Sequence, residues 1–126
     1  MAIGTLGRNR AGTGWRGNGT IYLALTSAGS SEPGRSDELT SNGFSRLSMT
    51  TSAATATGVV SQTGTLTFTA TGTVTVSGYM LTTTSSQEAS DDLLQAGLLA
   101  YGSLTSRTLN TGDTITISNY QLTPQT

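Results

Sequence analysis

One stretch of the chain, from Thr65 to Leu81, constrains the fold more than any other, because apolar and polar residues alternate along it with a period of two. Its odd positions are nearly all Thr or Ser, and its even positions carry the apolar side chains Leu66, Phe68, Ala70, Val74, Val76 and Met80. This alternation is typical of a β-strand with one buried face. Gly72 interrupts the run without changing its parity, which predicts two strands joined by a bend, or one long strand with a kink or bulge. We expect this stretch to form the spine of the hydrophobic core.

The composition also favours an all-β domain. The chain has 126 residues, enough for one core, and only 10% of them are charged, against roughly 25% in an average globular domain. Thr and Ser therefore cover much of the surface, and β-branched Thr favours extended structure because its rotamers are restricted. Shorter alternating runs with turn residues between them recur through the chain. Together these features predict a single antiparallel β-sandwich or jelly roll over residues 20–126.

The shorter runs give the remaining predicted strands. They are Thr20–Thr26, Gly43–Thr51, Thr57–Gln62, Leu98–Leu104 and Asp113–Asn119. In the second of them the alternation predicts that Leu47 and Met49 point inward and that Arg46 points outward. No helix longer than two turns is predicted, although Asp91 and Asp92 could open a single helical turn, since acidic residues are favoured at a helix start.

Two polar loops carry most of the acidic residues. The first contains Glu32, Arg35, Asp37 and Glu38, and the second contains Glu88, Asp91 and Asp92. The first could bind Ca²⁺ through its carboxylates, but it lacks the ordered spacing of a calcium loop, which favours a solvated loop. A paired-carboxylate site in the second loop would need a partner in a pocket, and a solvated loop is the favoured interpretation there too.

The N-terminal residues 1–19 differ from the rest of the chain, because they hold six of the 16 Gly and three of the six Arg and no acidic residue. Gly-rich backbone loses the most entropy on folding, so this segment is predicted to be a flexible arm, with Ile3 among its possible anchors. Such an arm suits ordering against a partner. The alternative is a passive disordered terminus or a first loop along the domain. The predicted partner-binding residues are Leu6, Arg8, Arg10, Trp15 and Arg16.

The chain contains no Cys and no His. It therefore lacks a disulfide framework, thiolate metal ligands, and the residue that most often serves as a general base or metal ligand. No Ser lies in a G-x-S-x-G context, so we expect no enzyme activity, no metal and no cofactor. The Arg residues of the arm form no basic stripe with interleaved aromatics, so no nucleic acid is expected. Without a long apolar run or a signal-type h-region, we expect no membrane partner and a chain made in the cytoplasm of its host cell.

The scarcity of charge favours self-association. The formal net charge is −1, the pI is about 5.0, and all the basic residues are Arg. Little self-repulsion remains to keep copies apart, and Arg suits interface contacts better than Lys does. We therefore expect a homodimer or homotrimer.

Several segments resemble a family of small virion proteins of tailed bacteriophages. The similar segments are M-A-I-G-T-L-G-R-N at the start, I-Y-L-A-L-T, N-G-F-S-R-L, and the late block L-L-A-Y-G-S-L-T-S-R-T-L-N-T-G-D-T-I-T-I. The resemblance covers nearly the whole chain. Members of this family are often labelled tail-fibre proteins and often look like capsid decoration, or cement, proteins.

The resemblance implies a structural protein of the virion. The favoured hypothesis is a decoration protein that binds the capsid exterior and stabilises neighbouring subunits of the major capsid protein, its expected partner. The alternative is a tail or tail-fibre component that attaches to a host receptor. The low charge and the Gly- and Arg-rich arm agree with the first hypothesis, while a glycan-binding face would need more exposed aromatics than one Trp and four Tyr supply.

Overall fold

A computed structural model of the protein describes residues 2–3, 21–27, 32–51, 60–118 and 121–122. These residues contain nine strands: β1 (Ala2–Ile3), β2 (Ile21–Thr26), β3 (Leu47–Met49), β4 (Val60–Ser61), β5 (Thr65–Thr69), β6 (Val74–Thr82), β7 (Leu98–Leu109), β8 (Thr114–Ser118) and β9 (Gln121–Leu122). A 3₁₀ turn (Arg35–Asp37) and one helix, α1 (Asp91–Gly97), are the helical elements of this part. Every strand pairing is antiparallel, which confirms the predicted all-β architecture. No helix among the described residues is both long and apolar enough to cross a membrane.

The strands form one large sheet and two ribbons. The large sheet has the order β1-β7-β6-β2-β3, and the ribbons are β4-β9 and β5-β8. Ribbon β5-β8 packs on one face of the large sheet, and α1 covers part of the other face. Strand β2 and the end of β6 from Met80 to Thr82 are therefore buried on both sides, whereas Thr75 near the start of β6 is exposed.

The main core lies between the large sheet and ribbon β5-β8. Its buried members from the sheet and the loops are Ile21, Leu23, Leu25, Phe44, Met49, Val74, Val76, Leu81, Leu99, Ala100 and Leu109, and those from the ribbon side are Phe68, Ala70 and Ile115. Phe44 and Phe68 meet with ring centroids 6.0 Å apart. Burial of a large apolar side chain contributes about 1.5–3 kcal/mol, so this cluster supplies most of the driving force for folding.

The central stretch is divided at Gly72, as one of the two sequence interpretations predicts, into β5 and β6, which belong to different layers. Asn42 holds the bend: its carbonyl accepts the Thr71 N–H at 2.8 Å, and a Cβ on Gly72 would lie 2.5 Å from its side-chain oxygen. Asn42 and Gly43 both have positive φ, 58° and 89°. A side chain on Gly43 would also lie 2.3 Å from the Thr69 carbonyl, so this turn requires glycine.

The apolar parity of the central stretch changes within β6. Val74, Val76 and Leu81 all face the main core, whereas Met80 packs on the opposite face beneath α1. The prediction that Met80 shares a face with the other even positions is therefore wrong. This change of face coincides with a register irregularity against β7, where the partner changes from Arg107 opposite Val76 to Ser103 opposite Gly78.

Helix α1 forms the predicted helical turn at Asp91 and continues to Gly97. Ser90 begins it, since its Oγ accepts the Leu93 N–H at 3.3 Å, as an N-cap residue does. Leu94 and Leu98 are buried against Ala24 and Met80. This short helix therefore closes a second, smaller core.

The other predicted elements match the structure in part. The segment Gly43–Thr51 contains only the three residues of β3, and the strand predicted at Leu98–Leu104 extends to Leu109. Arg46, predicted to point outward, is buried, with 8% of its surface exposed. Of the predicted arm 1–19, the described residues Ala2–Ile3 pair with β7, and the division between arm and sandwich domain stays a prediction.

Adjacent residues of α1 provide a test of the second core. Leu94 is 1% exposed and Leu93 is 57% exposed. We expect Leu94→Ala to lower the free energy of unfolding by about 2–5 kcal/mol, because it leaves a cavity beneath the helix. Leu93→Ala is the matched control, with an expected change within about 0.5 kcal/mol. Chemical denaturation measures both values, and equal effects would contradict this packing.

Candidate functional site

The most unusual feature of the described residues is a buried ion network centred on Arg46. Its guanidinium contacts Glu38 through two hydrogen bonds, Nε to Oε2 at 2.9 Å and Nη2 to Oε1 at 2.7 Å. Glu88 accepts from both Nη atoms. The three side chains are 1%, 2% and 7% exposed for Arg46, Glu38 and Glu88, respectively. Two carboxylates thus share one guanidinium, and the group carries a formal charge of −1.

The remaining N–H groups of Arg46 also have partners. Nη1 donates to the Thr82 hydroxyl at 3.0 Å and to the Thr84 carbonyl and hydroxyl at 3.0 and 2.7 Å. The Thr84 hydroxyl in turn donates to Glu88. Every guanidinium nitrogen is therefore hydrogen-bonded, which is the condition for tolerating a buried charge.

The network shifts the pKa values of Arg46 and Glu88. Burial alone lowers the pKa of Arg46, but hydrogen bonds and charge interactions with Glu38 and Glu88 outweigh it and raise that pKa above its ordinary value. Burial likewise raises the pKa of Glu88, but hydrogen bonds from Arg46 and Thr84 outweigh it and lower the pKa below its ordinary value. Both groups therefore stay charged at neutral pH.

A second set of contacts joins the two acidic loops. The Arg35 backbone N–H donates to Asp91 Oδ1 at 2.6 Å, and its side-chain Nε donates to the Glu88 carbonyl at 2.6 Å. The Gln87 amide donates to the Arg35 carbonyl at 2.7 Å. The prediction of two independent solvated loops is thus wrong for Glu38 and Glu88, since both carboxylates are buried on Arg46.

The structure offers no further support for a calcium loop. Asp37 Oδ2 accepts the Gly34 N–H at 2.7 Å, and Glu38 is committed to Arg46. Glu32 has one buried carboxylate oxygen that no described group hydrogen-bonds. Among the described residues, no group of three or more Asp, Glu, His or Cys side chains is arranged to hold a metal ion.

A shallow cavity of about 230 Å³ lies above the network. Arg46 and Glu38 form part of its lining together with Thr40, Ser45, Ser85 and Gln87. Because the guanidinium is already saturated by internal partners, this arrangement orders the surrounding loops and leaves Arg46 no N–H group for a ligand. We call the network of Arg46, Glu38 and Glu88 the clamp, because it holds the surrounding loops together.

The predicted partner-binding residues cannot be placed in this geometry. Leu6, Arg8, Arg10, Trp15 and Arg16 all lie outside the described residues, so their role stays a prediction. The Arg46 network was missed because a single Arg within an apparent strand looks like an outward position. A usable signal was present, since Arg46, Glu38 and Glu88 are charged residues in a chain that has very few.

Comparison with known proteins gives one match. The family described as Podophage GP4 fiber I protein gp80 matches residues 9–125 of the chain. The search of curated proteins found no match. The matched region includes the strands β2 to β9 and does not include β1. It therefore contains the Arg46 network and both layers of the main core.

The network should be essential to stability. We expect Arg46→Ala to lower the free energy of unfolding by about 3–5 kcal/mol, because it leaves two buried carboxylates without their counter-charge. Arg46→Lys should also destabilise, since an ammonium cannot bond both carboxylates in the planar, bidentate manner of arginine. Thr67→Ala is the control, because Thr67 is exposed. Urea denaturation measures the free energy of unfolding of each variant. Equal values for Arg46→Ala and the control would contradict the stabilising role of the network.

The lowered pKa of Glu88 predicts a pH dependence. As the pH falls, the unfolded chain binds a proton at this glutamate before the folded protein does, so folded-state stability decreases. The contribution is complete above the ordinary glutamate value of 4.5 and is lost as the pH falls below it toward the folded-state pKa. We expect thermal unfolding midpoints to fall more steeply between about pH 5 and pH 3 in the wild type than in Glu88→Gln. Parallel pH profiles would contradict this assignment.

Proposed function

Because the chain belongs to the podophage fibre family that matches it over residues 9–125, we propose that it is a non-enzymatic structural component of a podophage fibre. In this proposal the fibre lies on the tail and takes part in attachment to the host. The observation that carries the proposal is the extent of the family match, which spans both core layers and the buried network. The coarser conclusion, a virion protein of a tailed phage, follows from family membership itself.

The surface of the described sheet supports a structural role. On the exposed part of the β6-β7 face, hydroxyl groups pair across the strands, Thr75 with Thr108 at 3.0 Å and Ser77 with Ser106 at 3.1 Å. Neutral hydroxyl pairs neither titrate nor respond strongly to salt. A sheet surfaced in this way keeps its structure across the range of conditions that a particle meets outside a cell.

The buried clamp supports the same role. Arg46 holds the connection between β2 and β3 and the loop after β6 in one arrangement. Such a site rigidifies one end of the sandwich and contributes no nucleophile or acid–base pair to solvent. A rigid module without a mobile catalytic element is what an assembled fibre requires of its parts.

The location on the particle decides between this proposal and capsid decoration. We expect antibodies against the protein to label purified particles at the tail, and quantitative mass spectrometry to find few copies for each hundred copies of the major capsid protein. Antibody against the major capsid protein serves as the control label. Labelling spread over the shell, with a copy number comparable to that of capsid subunits, would assign the protein to capsid decoration and overturn the fibre proposal.

Particles that lack the protein give a second readout. Loss of a fibre component should reduce adsorption to host cells and leave the thermal stability of DNA-filled shells unchanged. The reverse pattern, a fragile shell with normal adsorption, would again indicate decoration.

A further inference from the structure

Among the described strands, one side of the sandwich has no pairing between the two layers. On the β3 side the layers are joined, since Thr51 bridges to Gln62 and the Thr63 N–H donates to the Thr50 carbonyl at 2.9 Å. On the opposite side lie β7, whose outer edge pairs with the two-residue β1, and β8, which pairs with β5, and β7 and β8 do not pair with each other. The described strands therefore form an incomplete barrel with a gap between β7 and β8.

Both strands that flank this gap have a free edge. Strand β1 covers only Ala100 and Tyr101 of β7, and its direction from Ala2 to Ile3 leads away from Gly102. No other described strand pairs with the outer edge of β7 from Gly102 to Leu109, or with that of β8. Unpaired edges of this kind are templates for strand addition, and neither strand contains the Lys or Pro that commonly protects an edge.

The gap contains an apolar cleft. Two adjoining cavities, of about 260 and 210 Å³, lie along it and share Leu104, Thr116 and Ile117. The first cavity reaches Leu23 and Tyr79, and the second is bordered by Arg107. Association along these edges would therefore bury part of the main core's apolar surface as well as satisfy backbone groups.

We propose that the protein forms a two-fold symmetric dimer in which β7 of each copy pairs antiparallel with β8 of the other across this cleft. A second copy presents the same two edges at the same separation, so both edges of each molecule are satisfied at once. The turn Asn110–Asp113 reverses the chain between β7 and β8. A two-fold axis parallel to the strands preserves their directions, so that β7 of one copy runs opposite to β8 of the other.

Charge complementarity selects this arrangement over one in which β7 pairs with β7. Arg107 and Asp113 are the charged residues of the segment 98–118, and both lie near the turn that joins the strands. With the axis parallel to the strands, the turn ends of both copies lie at the same end of the dimer. Arg107 then faces Asp113 of the other copy, whereas β7-β7 pairing would bring like charges toward each other and leave Asp113 at the far end.

The size of the interface sets its strength. The free edges comprise eight residues from Gly102 to Leu109 and the five residues of β8. Standard stable interfaces use about 20–30 residues a side. The dimer therefore lies at the small end of the range, and its formation should depend on concentration in the micromolar region. The inference concerns the isolated chain and does not depend on where the protein lies on the particle.

Sedimentation velocity of the full chain from low to high micromolar concentration tests the proposal. We expect a reversible monomer–dimer equilibrium for the wild type. Arg107→Glu should raise the dissociation constant about ten-fold or more, since it places like charges at both Arg107–Asp113 contacts. Adding Asp113→Arg to that variant should restore dimerisation beyond the level of either single variant, as a double-mutant cycle for a direct contact requires.

A matched pair of threonines tests the edge itself. Thr105 lines the cleft on β7, and Thr67 is an exposed residue in the middle of β5. Thr105→Lys should prevent dimerisation and Thr67→Lys should not, while both keep the wild-type circular dichroism spectrum. A wild type that stays monomeric at high micromolar concentration would overturn the proposal. So would a dimer that is insensitive to both Arg107→Glu and Thr105→Lys, or a charge swap that restores nothing.

Discussion

The structure depends on one buried guanidinium. Arg46 binds Glu38 and Glu88 and reaches the backbone at Thr84, so it joins the connection between β2 and β3 to the connection between β6 and α1. Removing three charged side chains from water costs several kcal/mol for each ion. The cost is offset only because each Arg46 nitrogen has a partner and because the two carboxylates are themselves hydrogen-bonded. Because all these hydrogen bonds must form together, the loops are held in one arrangement. Three of the few charged side chains of the protein can therefore be buried.

The network also determines what surrounds it. Glu88 precedes α1. The Arg35 side chain donates to the Glu88 carbonyl, and the Arg35 backbone N–H donates to the Asp91 carboxylate. The clamp therefore positions the start of the helix that covers Met80 and Leu94. In this way one electrostatic site at the end of the sheet supports the second core.

The two ends of the molecule illustrate different uses of a sparse charge content. Charges inside the clamp confer rigidity, whereas the pair Arg107 and Asp113 lies beside free strand edges, where a few charges can select among otherwise similar strand pairings. The intervening surface is made of Thr and Ser, whose hydroxyls pair across strands.

The sequence alone determined the all-β class, the position of most strands and the bend at Gly72, because period-two alternation and turn residues are local properties. It also indicated the start of α1 from Asp91 and Asp92. Tertiary structure alone decided that Met80 faces the helix, since a register shift against β7 depends on how two distant segments pair. It likewise decided that Arg46, Glu38 and Glu88 meet, because four strands separate Arg46 from Glu88 along the chain and no local pattern indicates which charges will share a buried site. The physical reason is the same in both cases: alternation encodes which side of a strand is apolar, but only the pairing of strands decides what lies opposite.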